Sequence, residues 1–251
     1  MYKELRTYGS TGDAWASPFL AADLPLLDWV KVASLRMDPR WRALRRHVPR
    51  GGTVLDAGCG MGQWAAFLSR QGYHTIGVDF SITMITALQR RYRELEWRFG
   101  RVQTLPVPDH SVDALISWGV IEHDESGPAK ALGEFARVLR LGGVAVITVP
   151  IDSEAHRRSS AAQFARPGAE TFFQYFLTPE EISTEVSNAG LELMEPVRPV
   201  SRHHAVAYPN LCARLSRLHP LLQRMAGWTL KPTLPFVPWS VNMQLAVARR
   251  A

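Results

Sequence analysis

Cysteine is scarce in this 251-residue sequence. Cys59 and Cys212 are the only two, too few for a disulfide framework, and the expectation is a reducing cytoplasm. No pair of cysteines or histidines shows metal-ligand spacing backed by a second pair, which points to a chain without a metal site. Lysine is scarce too: Lys3, Lys31, Lys130 and Lys231 are outnumbered by arginines, so the net charge of +6 is carried mainly by guanidinium groups. The arginines are spread through every segment instead of gathering on one stripe. No RNA-binding module signature accompanies them, so nucleic acid is not the expected partner. No uninterrupted apolar stretch reaches the roughly 18 residues that cross a bilayer. Lys3, Glu4 and Arg6 are not followed by the apolar run of a leader peptide.

With 46% apolar residues, the chain has enough core material for one α/β domain. The informative stretch runs from Val54 to Gly62 (VLDAGCGMG), a hydrophobic strand entering a glycine-dense turn. An amphipathic helix follows, with Trp64, Phe67 and Leu68 on one face and Gly72 as its stop. Strand, glycine turn and helix form the unit that holds a nucleotide-like ligand at the carboxyl edge of a parallel sheet. A second buried strand, His74 to Asp79, ends in an acid 17 positions after Gly62. An acid there is placed to accept hydrogen bonds from both hydroxyls of a ribose. Ser81, ahead of Ile82, Ile85 and Leu88, is the better helix cap.

Two ligand classes fit such a unit, dinucleotides and S-adenosylmethionine. The chain resembles the class I S-adenosylmethionine-dependent methyltransferases, in particular the group acting on small molecules. The resemblance is carried by VLDAGCGMG, by Gly77 to Ser81 (GVDFS), by Leu105 to Asp113 (LPVPDHSVD), by Val120 to His123 (VIEH) and by Arg137 to Gly143 (RVLRLGG). These lie in order within about residues 50 to 150. The dehydrogenase fingerprint has a third glycine three positions after its second, where this chain has Gln63. The resemblance implies a Rossmann-like seven-stranded sheet of order 3-2-1-4-5-7-6, strand 7 antiparallel, with helices on both faces. It also implies S-adenosylmethionine as cofactor, held by Asp56, Ala57, Gly58, Cys59, Gly60, Asp79, Phe80, Met84, Val102 and Gln103, with Ser117, Trp118 and Gly119 facing its methionine half. Family members often carry an acid just after the third strand to accept from the adenine amino group. Here Arg101 stands at that place and has no acceptor, so Gln103 or a backbone carbonyl would substitute.

The remaining segments concern the acceptor. One domain is expected over residues 1–251, with an N-terminal helical cover or lid at 1–50, a cofactor-binding half at 51–150 and a substrate-side half at 151–251. The cover is aromatic, with Tyr2, Tyr8, Trp15, Phe19, Trp29 and Trp41. Further strands are expected at 97–100, 112–118, 144–149, 191–197 and 241–248, and helices at 81–94, 127–140 and 178–189. Thr178-Pro179-Glu180-Glu181 reads as a capping box with proline at the first helical position. Phe172, Phe173, Tyr175 and Phe176 either line an acceptor pocket or pack as core. In the insert at about 201–237, Leu211, Leu215, Leu218, Leu222 and Met225 share a helical face opposite Arg214, Arg217 and Arg224. A proline-rich apolar hook follows. A cover for the acceptor pocket is the first reading of the insert; peripheral membrane contact or a dimer contact are the others.

The expected function is methyl transfer to a small-molecule acceptor, with a mild preference for oxygen because His123 is a plausible general base for a hydroxyl. His123 also fits a structural role, ordering the turn before the next helix. A lipid-linked or glycan acceptor at a membrane surface is the alternative reaction. A non-catalytic methyltransferase-like binding domain is the alternative of another class. Oligomeric state is open.

Overall fold

A computed structural model describes residues 1–6, 29–154, 157, 171–200 and 243–251. Its centre is a mixed sheet. Strands β2 (Thr53–Ala57), β3 (His74–Asp79), β4 (Glu96–Phe99), β5 (Val112–Trp118) and β6 (Leu139–Pro150) run parallel, and β10 (Met243–Arg250) runs antiparallel beside β6. β8 (Leu191–Leu193) closes the edge, giving the order β4-β3-β2-β5-β6-β10-β8. That is the expected 3-2-1-4-5-7-6 order, with the antiparallel strand inserted where expected.

The sheet is buried on both faces, which is why its central strands read as near-continuous apolar runs. Alternate side chains feed two separate cores. Val54, Ala114, Ile116 and Val146 pack with Phe67 and Leu68 of α3 (Gln63–Arg70) and with Ile85 and Leu88 of α4 (Ile82–Arg91). Leu55, Leu115, Ala145 and Ile147 pack on the opposite face. There they meet Leu132 and Phe135 of α5 (Ala129–Val138) and Ile182 and Val186 of α6 (Pro179–Asn188). Helices α1 (Trp29–Arg36) and α2 (Pro39–His47) join the first face through Leu35, Trp41 and Leu44. The caps of α4 and α6 follow from sequence. Ser81 Oγ accepts from Met84 N–H to cap α4, and Thr178 and Glu181 form a reciprocal capping box on α6.

Several boundaries differ from expectation. β6 begins at Leu139, five residues earlier than 144, because Leu139 already pairs with Val112 before the chain bends at Gly142. The strand expected at 191–197 is only β8, and a further short strand, β9 (Arg198–Val200), lies past its expected end; both are laid against β10. Val200 pairs with Met243, so the chain leaves and re-enters the sheet at adjacent positions. A two-stranded ribbon has no counterpart in the sequence patterns: β1 (Tyr2–Arg6) pairs antiparallel with β7 (Thr171–Phe176), and Phe176 is fully buried. Tyr8, Trp15, Phe19, Cys212 and the insert at 201–237 lie outside the described residues.

Phe135 is fully buried at the contact of α5 with the sheet. Phe135→Ala should lower unfolding free energy by about 3–5 kcal/mol through lost burial and the cavity it leaves, read from urea denaturation curves.

Candidate functional site

The site is built at the carboxyl ends of β2, β3 and β5. Past β2 the chain turns through Gly58, Cys59, Gly60 and Met61 to Gly62, the N-cap of α3. Gly62 has φ +66°, and a Cβ there would stand 2.6 Å from both Leu88 Cδ2 and Trp97 Cη2. Only glycine supplies both the left-handed backbone and the room. Gly60 is different: a Cβ would meet nothing within 4 Å, so its backbone borders open space that a ligand can approach.

Asp79 binds the two strand tips together. Its Oδ2 accepts from Gly60 N–H at 2.9 Å and its Oδ1 from Ser81 N–H at 3.0 Å. A carboxylate has about four acceptor positions, so it retains capacity for hydroxyl donors. Burial pushes its pKa up, opposed by the N–H groups of Ser81, Gly60 and Phe80. Asp56, one strand over, is 2% exposed and accepts from Ala65 N–H at 3.2 Å in the first turn of α3. Burial raises its pKa to about 7; the Ala65 N–H opposes this, the nearby Asp79 adds to it, and Arg40 opposes it.

A cavity of about 240 Å³ opens beside the turn. Asp56 and Gly58 to Met61 line it, together with Trp64, Trp118, Thr148, Val200, Met243 and Arg40. Arg40 is the least anticipated member. Its guanidinium lies 4.8 Å from the Trp64 ring centre and 5.2 Å from that of Trp118. The two indoles are themselves 5.2 Å apart, so the cation rests against two π faces. Nε and Nη2 of Arg40 are bonded to Asp38 at 2.9 and 2.8 Å, which holds the fork in a fixed plane. The sequence signals the local device, an acid N-cap followed by Pro39 at the start of α2. It does not signal the two tryptophans arriving from other elements.

The other expected site residues divide by position. Ala57 and Ser117 are fully buried and do not line the cavity. Cys59 lines it, and burial holds its thiol well above the usual range. Gly119 donates its N–H to Thr148 O at 2.9 Å. A Cβ on Gly119 would meet Glu122 Oε1 at 3.3 Å and Met243 Cε at 3.4 Å, so the Glu122 carboxylate and Met243, which lines the cavity, both adjoin Gly119. Met84 is in the core beneath the cap of α4. Phe80 lies under the Arg101 guanidinium at 5.5 Å. Val102 is buried, and Gln103 Nε2 donates to Asp124 Oδ2 at 2.8 Å.

His123 ends a 3-10 turn, Ile121–His123, just past the tip of β5. Its Nδ1 lies 2.7 Å from Phe173 O, its ring meets the Phe173 ring edge-on at 5.0 Å, and its Nε2 is 4.0 Å from Glu122 Oε1. Glu122 is 2% exposed. Among the described residues no group of three histidine, cysteine or acidic side chains could hold a metal ion, and no helix is long and apolar enough to cross a membrane.

Residues 55–147 match the family model described as a methyltransferase domain. A relative from Mycolicibacterium smegmatis, named "Probable S-adenosylmethionine-dependent methyltransferase", is 33% identical over 189 residues, covering 69% of this chain and 68% of that protein. A demethylmenaquinone methyltransferase from Renibacterium salmoninarum is 35% identical over 121 residues; the match spans 46% of this chain and half the length of that protein. Among solved structures, a TehB-like methyltransferase from Corynebacterium glutamicum superposes with TM-score 0.55 at 22% identity, covering 95% of this chain and 100% of that one.

The buried acids predict a pH dependence. Unfolded, Asp56 ionises near an ordinary 3.8; folded, it does so at about 7. Between those values the native state alone holds the proton, so stability falls as pH rises and levels off above the window. Asp79, also raised by burial, adds to the same slope. Asp56→Asn keeps an oxygen for Ala65 N–H and removes one titration. Its thermal melts should show a shallower slope between about pH 4 and 7 and a higher midpoint than the parent at pH 8. The slope removed is at most about 1.4 kcal/mol for each tenfold change in proton concentration. An unchanged slope would mean Asp56 is ionised in the fold.

Proposed function

The chain belongs to the class I S-adenosylmethionine-dependent methyltransferases, and on that premise we propose that it methylates a hydroxyl oxygen of a small-molecule acceptor. The observation that carries this reading is His123, held beside the buried Glu122 in the turn that follows Trp118, a residue of the cavity wall.

The residues present fit the cofactor. Gly60 leaves its backbone open to a ligand, and Asp79 keeps acceptor positions for two ribose hydroxyls. Asp56, costly to ionise while buried, gains a counter-charge from an α-ammonium, and Arg40 offers its remaining nitrogen, Nη1, to an α-carboxylate. Bound S-adenosylmethionine supplies a methyl carbon on a cationic sulfonium, open to in-line displacement by an acceptor lone pair. Positioning then provides much of the rate. For a hydroxyl acceptor, His123 Nε2 takes the proton as the oxygen bonds to carbon, and Glu122 offsets the imidazolium charge. Trp64, Trp118, Val200 and Met243 exclude water from the cavity wall.

The name of the Renibacterium relative, a demethylmenaquinone methyltransferase, supports a small organic acceptor. We read residues 1–251 as one domain acting in the cytoplasm, with the segment at 201–237 covering the acceptor side and nucleic acid excluded as a substrate.

Calorimetry with S-adenosylmethionine, S-adenosylhomocysteine and a nicotinamide dinucleotide tests the cofactor site; only the first two should bind. Asp79→Ala should weaken their binding by about 1.5–3 kcal/mol as charge-assisted hydrogen bonds are lost, and unchanged affinity would remove the ribose assignment. A panel of matched phenols, alcohols, amines and thiols, scored by S-adenosylhomocysteine release, tests the acceptor atom. Turnover confined to amines or thiols would overturn the oxygen reading.

A further inference from the structure

The register of the β1–β7 ribbon steps where it passes the site. Glu4 pairs with Gln174 and the next residue, Leu5, pairs with Phe172. Phe173 is therefore the inserted residue of a β-bulge, a device that turns a backbone group out of the ladder. Its carbonyl oxygen is the atom 2.7 Å from His123 Nδ1. A carbonyl can only accept, so Nδ1 carries the proton and a neutral ring has its lone pair on Nε2. Nε2 is the nitrogen on the Glu122 side, 4.0 Å from Oε1, where that carboxylate adjoins Gly119 at the end of β5.

We propose that the bulged Phe173 carbonyl is a positioning group that fixes His123 as its Nδ1–H tautomer, so that the β1–β7 ribbon aims the base of the reaction. This rests on the reading of His123 as general base. An unconstrained imidazole favours the opposite tautomer, with the proton on Nε2, which could donate to an acceptor hydroxyl but not deprotonate it. The bulge reverses that preference with one main-chain atom. The Phe173 ring, edge-on to the imidazole at 5.0 Å, limits rotation about the same bond. The ribbon that carries this carbonyl is fastened at several points. Tyr175 OH donates to Glu125 O at 2.9 Å, and Lys3 pairs with Glu125 at 2.5 Å, tying both ribbon strands to the loop after His123. Leu177 N–H donates to Pro150 O at 3.1 Å and Asp152 N–H to Leu177 O at 2.8 Å, fastening the end of β7 to the end of β6. Gln244 Nε2 donates to Leu177 O at 2.7 Å from β10. The ribbon is thus part of the catalytic frame and not merely a cover.

The test is a two-bond ¹⁵N–¹H correlation spectrum of the full chain labelled at histidine. It is recorded with S-adenosylhomocysteine bound at mildly alkaline pH, with His123 assigned by its loss in His123→Asn. The expected pattern is a protonated Nδ1 and an unprotonated Nε2. A ring protonated on Nε2 overturns the proposal. The base reading is checked separately, because asparagine keeps an amide N–H in reach of the Phe173 carbonyl and lacks the basic nitrogen. With an acceptor from the panel, His123→Asn should turn over roughly a hundredfold or more slowly at unchanged cofactor affinity. Parental turnover in that variant removes the base role, and with it the proposal that the ribbon aims one, even if the Nδ1–H tautomer is seen.

Discussion

The site depends on one carboxylate accepting two backbone N–H groups from different places in the chain. Gly60 lies in the turn after β2, Ser81 starts the entry to α4, and Asp79 at the tip of β3 holds both. The Gly60 contact ties the turn after β2 to the tip of β3, and the Ser81 contact sets how the chain leaves that tip for α4. Removing the side chain would free the turn, expose two donors and loosen the entry to α4 together. The same acid is largely buried, so burial and hydrogen bonding oppose each other in setting its charge. Asp56, more deeply buried, has fewer donors and a pKa of about 7. Burial thus disfavours the charged forms of two acids on adjacent strands, and a cation beside them would favour those forms.

Much of the cofactor half was legible in the sequence because its signals are local. The turn glycines, the acid at 79 and the Ser81 cap each depend on residues a few positions apart, as does the Thr178 capping box in the other half. The strand order follows from the resemblance, not from any local pattern, since nothing near Met243 states that β10 slots between β6 and β8. Boundaries failed where pairing overrode composition. Leu139 to Gly143 look like a helix end and a turn, yet Leu139 finds Val112 as a partner and the strand begins there.

The rest of the cavity wall and the β1–β7 ribbon were less legible, for a physical reason. Arg40, Trp64 and Trp118 come from α2, α3 and β5 and meet only when the sheet is assembled. Phe172 to Phe176 read equally as pocket lining or core. The structure makes them a strand whose members do different things: Phe176 is buried, Tyr175 anchors a loop, and Phe173 offers its carbonyl to His123. A bulge is invisible to an alternation pattern, because it is defined by the partner strand, here one that lies far away at the start of the chain.

Val200 and Met243 are Cα partners across β9 and β10, and both line the cavity. The chain therefore leaves the cavity wall at Val200 and rejoins it at Met243, two adjoining points that act as a clasp. Closing a longer or shorter segment across that clasp changes the chain entropy by only about 0.6 kcal/mol per doubling of length. The sheet, the glycine turn and the acids at 56 and 79 lie outside it. A change in the length of chain between Val200 and Met243 therefore leaves in place the strands and the glycine turn that border the cavity.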